Sequence, residues 1–298
     1  MKKKYFLFLV LLNIHGYSVF EYGISDAGLF SMADAVSAAH IENSYFYNPG
    51  NFNRDTRAYM NFTGYFNSGQ IQSLSEGGGC FSAKYCVNQF FACAAAIDYD
   101  LFEYNGSYPD ARGLLWSEVQ ALVVANLNIF NIFAIGLQGK YYSYSTDASI
   151  YGKTYDAENG GDMGVGVKGA IKLLTIGAGV DNILSIRNHL SRRLFAGIGF
   201  DILNRVQYTF DFLADMSRKK FTLKTGLEIT LARNMLFLHT GIHGADLFRN
   251  TSVHYGITLK VLRFFFSYGG NYNFNIPGSN RHFISVAIFF NYFSKVSN

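Results

Sequence analysis

The stretch "TSVHYGITLKV" at residues 251–261 alternates without a break. Thr251, Val253, Tyr255, Ile257, Leu259 and Val261 fall on one phase, and Ser252, His254, Gly256, Thr258 and Lys260 on the other. A period of two belongs to a strand, because successive side chains there point to opposite faces. "FTLKTGLEITL" repeats the pattern, with Phe221, Leu223, Leu227, Ile229 and Leu231 against Thr222, Lys224, Glu228 and Thr230. Comparable segments recur at 56–67, 78–87, 90–99, 114–127, 130–145, 161–172, 174–182, 193–202, 205–215, 219–231, 234–243, 251–261, 262–273 and 281–293. That makes fourteen, and an even count suits a closed antiparallel barrel whose apolar phase meets lipid and whose polar phase meets the lumen.

A soluble β-sandwich would alternate too. However, many of these segments run longer than the usual strand of about 5–6 residues and approach the roughly 10 residues of a membrane-spanning strand. No helical pattern supplies a layer to cover a sheet. Charged residues make up 15% of the chain, against about 25% in ordinary soluble domains, while Phe and Tyr number 29 and 21 and Gly 30. No run of 18 apolar residues exists, so a helical membrane protein is excluded. The expectation is an all-β transmembrane antiparallel barrel of about 14 strands in the cell outer membrane, with outer-membrane lipid as its solvent. Tight connections such as 173–175 and 231–235 read as turns on one rim; the polar stretches 103–113 and 144–161 read as loops on the other.

The chain begins with Lys2, Lys3 and Lys4, an apolar run from Tyr5 to Leu12, then Gly16 and Ser18. This is the order of a secretory signal peptide, expected over 1–18. Removing its lysines takes the formal charge from +4 to about +1, so no nucleic-acid surface is indicated.

Residues 19–52 do not alternate, and the barrel is expected over 53–298. "GISDAGLFSMADAVSAAHIENS" reads as a short helix capped by Asp26, with Leu29, Met32, Ala33 and Val36 on one face. Too short to be a domain, the segment is expected as a hatch inside the lumen. It ends at Asn48-Pro49-Gly50. Proline fixes its own backbone and restricts Asn48, and glycine permits left-handed torsions, so this corner can turn a chain leaving the lumen into the first wall strand.

The segment "FSMADAVSAAHIENSYFYNPGNF" resembles the N-terminal motif of the long-chain fatty acid transporter (FadL-like) superfamily, and in particular its PorV/PorQ-like branch. Ser31, Met32, Ala35, Ala38, Asn48 and Pro49 match; Ala33-Asp34 and Gly50 depart, where the family more often has Gly-Gly or Gly-Ala, and Ala. Gly226 and Glu228 resemble the family's Gly-x-Glu strand, with His239 where an Arg is usual. Arg281, His282 and Ser285 resemble a closing strand, and "GVGVKGAIKLLTIGAGVDNIL" a further internal pair ending in Asn182. The resemblance covers essentially the whole mature chain. It implies a fourteen-strand barrel with an N-terminal hatch and passage of a hydrophobic compound, or, in the PorV/PorQ branch, roles around protein secretion.

Two sets of candidate residues follow. Met32, Ala35, Asn48, Pro49 and Gly50 form the hatch or gate. Phe30, Tyr45 and Phe46, joined by Tyr47 and Phe52, offer an apolar site, with Arg54 and Arg57 as forks for a ligand carboxylate. The same aromatics would serve as a simple plug or interfacial girdle, and the arginines as partners of Asp34, Glu42 or Asp55. Partners expected are a hydrophobic small molecule such as a fatty acid, the barrel-assembly machinery and secreted or surface proteins bound by the loops. A structural porin-like barrel is the remaining alternative.

No nucleophile elbow, phosphate loop or paired-carboxylate motif is present, so neither catalysis nor a cofactor is expected. Gly164 and Gly166 read as strand glycines without the Lys-Ser/Thr of a phosphate loop. His239 and His243 share a strand face without an HExxH order. Cys80, Cys86 and Cys93 have no metal spacing; they read as small strand residues, with a disulfide as the other option. The last strand ends at Phe293 before "SKVSN", leaving Phe290, Tyr292 or Phe293 as the aromatic read during assembly.

Overall fold

A computed structural model describes residues 26–39, 43–52, 56–67, 74–104, 114–129, 132–146, 149–150, 153–154, 158–184, 191–203, 205–232, 234–245, 250–274 and 280–292. The expected signal peptide, Glu42, Arg54, Asp55 and Phe293 lie outside them.

Fourteen strands close into one antiparallel barrel. They are β1 (Thr56–Asn67), β2 (Leu74–Cys86), β3 (Phe91–Tyr104), β4 (Leu114–Ile129), β5 (Phe133–Thr146), β6 (Glu158–Ile171), β7 (Leu174–Asp181), β8 (Arg193–Ile202), β9 (Val206–Asp215), β10 (Lys220–Leu231), β11 (Leu236–Ala245), β12 (Asn250–Val261), β13 (Phe264–Asn273) and β14 (Arg281–Tyr292). Each pairs with its sequence neighbours, and β14 closes on β1 from Thr56↔Tyr292 to Asn67↔Arg281. Closure leaves no unpaired edge, the one arrangement by which strands cross hydrocarbon with every backbone group satisfied. A small hairpin between β5 and β6 pairs Ser149–Ile150 with Lys153–Thr154.

All fourteen alternating segments are strands, most of them starting or ending a few residues from the sequence reading. β2 and β3 are longer, because their far ends carry Gly77, Gly78, Asp98 and Asp100, which blunt the apolar signal but still pair (Gly78↔Asp100). The phase is as read: on β8, Leu194, Ile198 and Phe200 point outward while Phe195, Gly197 and Gly199 point inward. Large apolar side chains such as Ile97, Val123, Leu137 and Ile284 cover the outer wall. Near the chain termini the connections are tight, as at 172–173 and 262–263, where Lys172 and Leu262 take left-handed backbone conformations.

The described part of 19–52 sits inside the barrel. It starts with α1 (Ala27–Ser31), capped by Asp26, whose side chain accepts from the Leu29 amide at 2.8 Å. The helix is shorter than the apolar pattern to Val36 suggests. Asp34 donates its amide to the Leu29 carbonyl and Ala33 to that of Phe30, and Ala33 is left-handed (φ 57°). These are the bonds of a Schellman C-cap with alanine where glycine is usual. The turn stops the helix; Leu29 and Val36 still pack together, with Ala39, while Met32 lies apart against Gly226 and Gly241. A second short turn, a 3₁₀-helix over Ser44–Phe46, precedes the Asn-Pro-Gly corner.

Candidate functional site

The hatch is held differently by two halves of the wall. From β5 to β13 it lies against inward-facing glycines. A Cβ built on Gly136 would overlap Pro49; on Gly166, Asn48; on Gly177, the Ser37 carbonyl; on Gly199, Ala38; on Gly241, Met32; on Gly269, the Ala27 carbonyl. Glycine weakens a strand unless another backbone must come close, and here one does. Many of these residues face one another across the ladder: Gly136↔Gly166, Gly177↔Gly197, Gly226↔Gly241 and Gly256↔Gly269. Following the chain, Ala27 lies at β13, Ser31 at β12, Met32 at β10 and β11, Ser37 at β7 and β8, and Pro49 at β5. The hatch thus runs around the inside of the wall.

On the other half, β2 to β4, contact is through side chains. Tyr45, Phe46 and Phe52 pack on Cys80, Cys86, Ala92, Ala94, Ala96, Leu122 and Val124. Tyr45 stacks on Phe52 with centroids 4.5 Å apart and lies 4.4 Å from Phe46. The alanines of β3 make a flat floor for the rings. Such ring pairs add about 0.5–1.5 kcal/mol each beyond the area they bury.

Polar bonds fix the position. Asn48, fully buried, donates Nδ2 to the Ser37 carbonyl (2.7 Å) and the Val167 carbonyl (3.0 Å), and its Oδ1 accepts from the Gly50 amide (3.0 Å). The Asn-Pro-Gly corner therefore ties two parts of the hatch to β6. Asn126 of β4 donates to the Pro49 carbonyl, and Gln138 of β5 to that of Phe46. Asp211 of β9 accepts from the Ser37 amide (2.7 Å), His254 of β12 meets the Phe30 carbonyl (2.7 Å), and Ser285 of β14 accepts from the Ala27 amide (2.8 Å). Asn43, left-handed at φ 66°, is a hub: it donates to Asp26 and to the Tyr59 hydroxyl of β1, and accepts from Tyr45 and from Ser82 of β2. Burial pushes the Asp26 carboxyl up to about 6, against the bonds from Leu29 and Asn43.

Between the hatch and the far rim the lumen is charged. Lys140 and Arg193 both pair with Asp181, Arg281 pairs with Glu76, and Tyr65 donates to Asp100. On the terminus side His239 lies 3.5 Å from Glu228. Among the described residues no group of three or more His, Cys, Asp or Glu is placed to hold a metal ion. The three cysteines are free thiols.

The sequence-derived candidates separate accordingly. Met32, Ala35, Asn48, Pro49 and Gly50 are buried in the lumen. Phe30 is buried apart from the other aromatics, stacked on Phe283 at 4.1 Å with its edge to His254. Tyr45 and Phe46 belong to the β2–β4 cluster. Arg57 falls at the start of β1, and Arg54 lies outside the described residues. Sequence reasoning missed Asn43, the carboxylates of β2–β4 and the glycine seat. The seat had a signal: glycines recurring on the polar phase of successive strands.

No family model matches the chain, and no curated protein matches it. Solved structures do. The toluene transporter TbuX of Ralstonia pickettii superposes with a TM-score of 0.70 at 10% identity, over 91% of this chain and 100% of that one. The toluene transporter TodX of Pseudomonas putida gives 0.71 at 9% identity, over 90% and 99%. A FadL homologue of Pseudomonas aeruginosa gives 0.63 at 9% identity, over 91% and 99%. At such identities the likeness is one of fold: a fourteen-strand barrel of the FadL kind.

Proposed function

We propose that this protein lies in the outer membrane and passes hydrophobic small molecules through its wall-lined lumen, with residues 19–52 as the hatch that closes it. The carrying observation is the apolar cluster of Tyr45, Phe46 and Phe52 on the alanine floor of β3. It is a hatch–wall contact built from apolar side chains, larger than the one Ala27 and Phe30 make with Phe283 and Tyr65. Displacing those rings would uncover an apolar patch on β2–β4, while the glycine-seated half stays in place. The outward apolar belt matches a hydrocarbon surrounding, and structures of this fold include proteins described as toluene transporters. If the solute is a fatty acid, Arg54 and Arg57 are the residues whose guanidinium forks suit its carboxylate.

Proteoliposomes loaded by this barrel should take up labelled fatty acid or toluene faster than protein-free vesicles. Deleting 26–52 should raise permeation, and Pro49→Ala should change its rate. Unchanged uptake in both variants would remove the gating role; no uptake above protein-free vesicles would remove transport.

A further inference from the structure

A row of rings lines the inner wall between the hatch and the terminus rim. Phe237 of β11 stands 6.0 Å from Phe265 of β13, centroid to centroid. Phe265 meets Phe289 of β14 at 4.3 Å, and Phe289 meets Tyr59 of β1 at 4.8 Å. The row keeps one level on its strands. Phe237 lies four residues rimward of Gly241, Phe265 four from Gly269, and Phe289 four from Ser285. Those three wall residues are where the hatch rests, on Met32 and Ala27. Four residues of strand are roughly 13 Å. Tyr59, Phe289 and Phe265 form a cluster of wall residues alone among the described residues, although Asn43 of the hatch reaches the Tyr59 hydroxyl.

A lysine stands at each end of the shelf. Lys260 of β12 places Nζ 5.3 Å from the Phe265 centroid, and Lys84 of β2 places Nζ 5.9 Å from that of Tyr59. A ring face attracts an ammonium, so each cation is kept at the edge of the apolar surface. Lys84 is buried, while Lys260, Phe237 and Phe265 are half-buried and still present surface to the lumen. Between the hatch seat and the terminus rim, the described inward residues of β11 to β2 include these lysines and His239, and no carboxylate. The neighbouring acids are engaged: Glu228 of β10 lies against His239, and Asp26 of the hatch accepts from Leu29 and Asn43.

We propose that this shelf binds an amphiphilic anion, a carboxylate on an apolar body, on the terminus side of the hatch. The apolar body lies on Phe237, Phe265 and Phe289, and the carboxylate accepts from Lys260. This rests on the reading of the barrel as a path for hydrophobic solutes, and it names the class of solute held at this end. From β11 to β1 the shelf crosses four interstrand steps, roughly 19 Å, which is room for an extended chain. An apolar surface with one placed cation orients such a molecule. It also discriminates: an ester of the same length gains nothing from Lys260, and an amine is repelled by it.

The test is photolabelling of the full chain in lipid nanodiscs with dodecanoic acid carrying a mid-chain diazirine, beside its methyl ester and the matching amine. Labelled residues are assigned by mass spectrometry. Outward Phe264 and Phe266 report probe dissolved in lipid, so the reading is the ratio of label on inward Phe237, Phe265 and Phe289 to label on that pair. The acid should give a ratio at least fivefold above the ester and the amine. Lys260→Gln should lower the acid's ratio about tenfold, the loss of one hydrogen bond to a charged group, and leave the ester's unchanged. Lys260→Arg should keep most of it, and Lys260→Glu should favour the amine. Heat-modifiable gel mobility confirms that each variant is folded. An acid ratio no higher than the ester's overturns the proposal, as does a ratio that survives Lys260→Gln. Uptake by proteoliposomes separates this site from transport. Labelling as stated in a barrel that carries no solute removes transport and leaves the site; uptake without inward label removes the site and leaves transport.

Discussion

The two halves of the lumen wall hold the same segment by opposite means. Along β5–β13 most strands present glycine where the hatch comes close, with Gln138, Asp211 and His254 adding hydrogen bonds to its backbone. Along β2–β4 the wall offers alanines, and the hatch brings the bulk, as Tyr45, Phe46 and Phe52. Where the two backbones meet directly, as at Gly177 and Gly269, the seat tolerates no added atom, because neither partner has a rotamer to change. A ring packed on alanine can swing away and leave an apolar surface behind. The first half therefore suits a fixed anchor, and the second a movable closure.

That contrast can be broken by experiment. The largest effect is expected from Gly177→Val, whose side chain would occupy the place of the Ser37 carbonyl. The cost should exceed the ~1–3 kcal/mol of ordinary overpacking, since only backbone could yield. Protease cleavage within 26–52 of a barrel that keeps its heat-modifiable gel mobility would show the hatch displaced; an intact, protected hatch would mean that the seat gives way.

Next is Phe52→Ala, which removes a buried ring from the aromatic half at about 3 kcal/mol. Uptake of an apolar solute should rise while the 27–38 stretch stays protected. Loss of protection across the whole hatch would show that the halves are one unit.

Asn48→Ala strips the corner of its bonds to Ser37, Val167 and Gly50 and should cost about 2 kcal/mol, read as faster exchange of the 37–50 amides. If exchange is unchanged, the glycine seat alone anchors this stretch.

The smallest effect is Ala33→Gly. A left-handed alanine is strained by about 1 kcal/mol, but its methyl is buried, worth about 0.8 kcal/mol. Hatch stability should move by less than about 0.5 kcal/mol in denaturant titration, and a large loss would reveal packing at Ala33 that outweighs the strain.

Much of this architecture was open to reading in the chain. A period of two survives in any strand that separates lipid from lumen, so "TSVHYGITLKV" and its companions announce both the strands and their inward face. The cap at Asp26 was legible because its bond is local. The end of α1 was not: the apolar spacing runs on to Val36, and it is the turn at Ala33 and Asp34 that stops the helix. Phe30 and Tyr45 read as one aromatic set because they share the non-alternating segment 19–52, yet Phe30 stacks on Phe283 of β14 and Tyr45 lies over β3.

By itself, then, the sequence determined the number of strands, their alternation and the presence of one segment that could not be wall. Those are properties of local geometry, repeated every second residue. The tertiary structure decided what the wall's glycines are for, which aromatics meet, and that Asn43 joins Asp26 to β1 and β2. Each depends on which strands stand opposite one another across a closed lumen, and closure brings together residues more than 200 positions apart, as with Ala27 and Ser285. No local pattern encodes that pairing; it follows only once the barrel has shut.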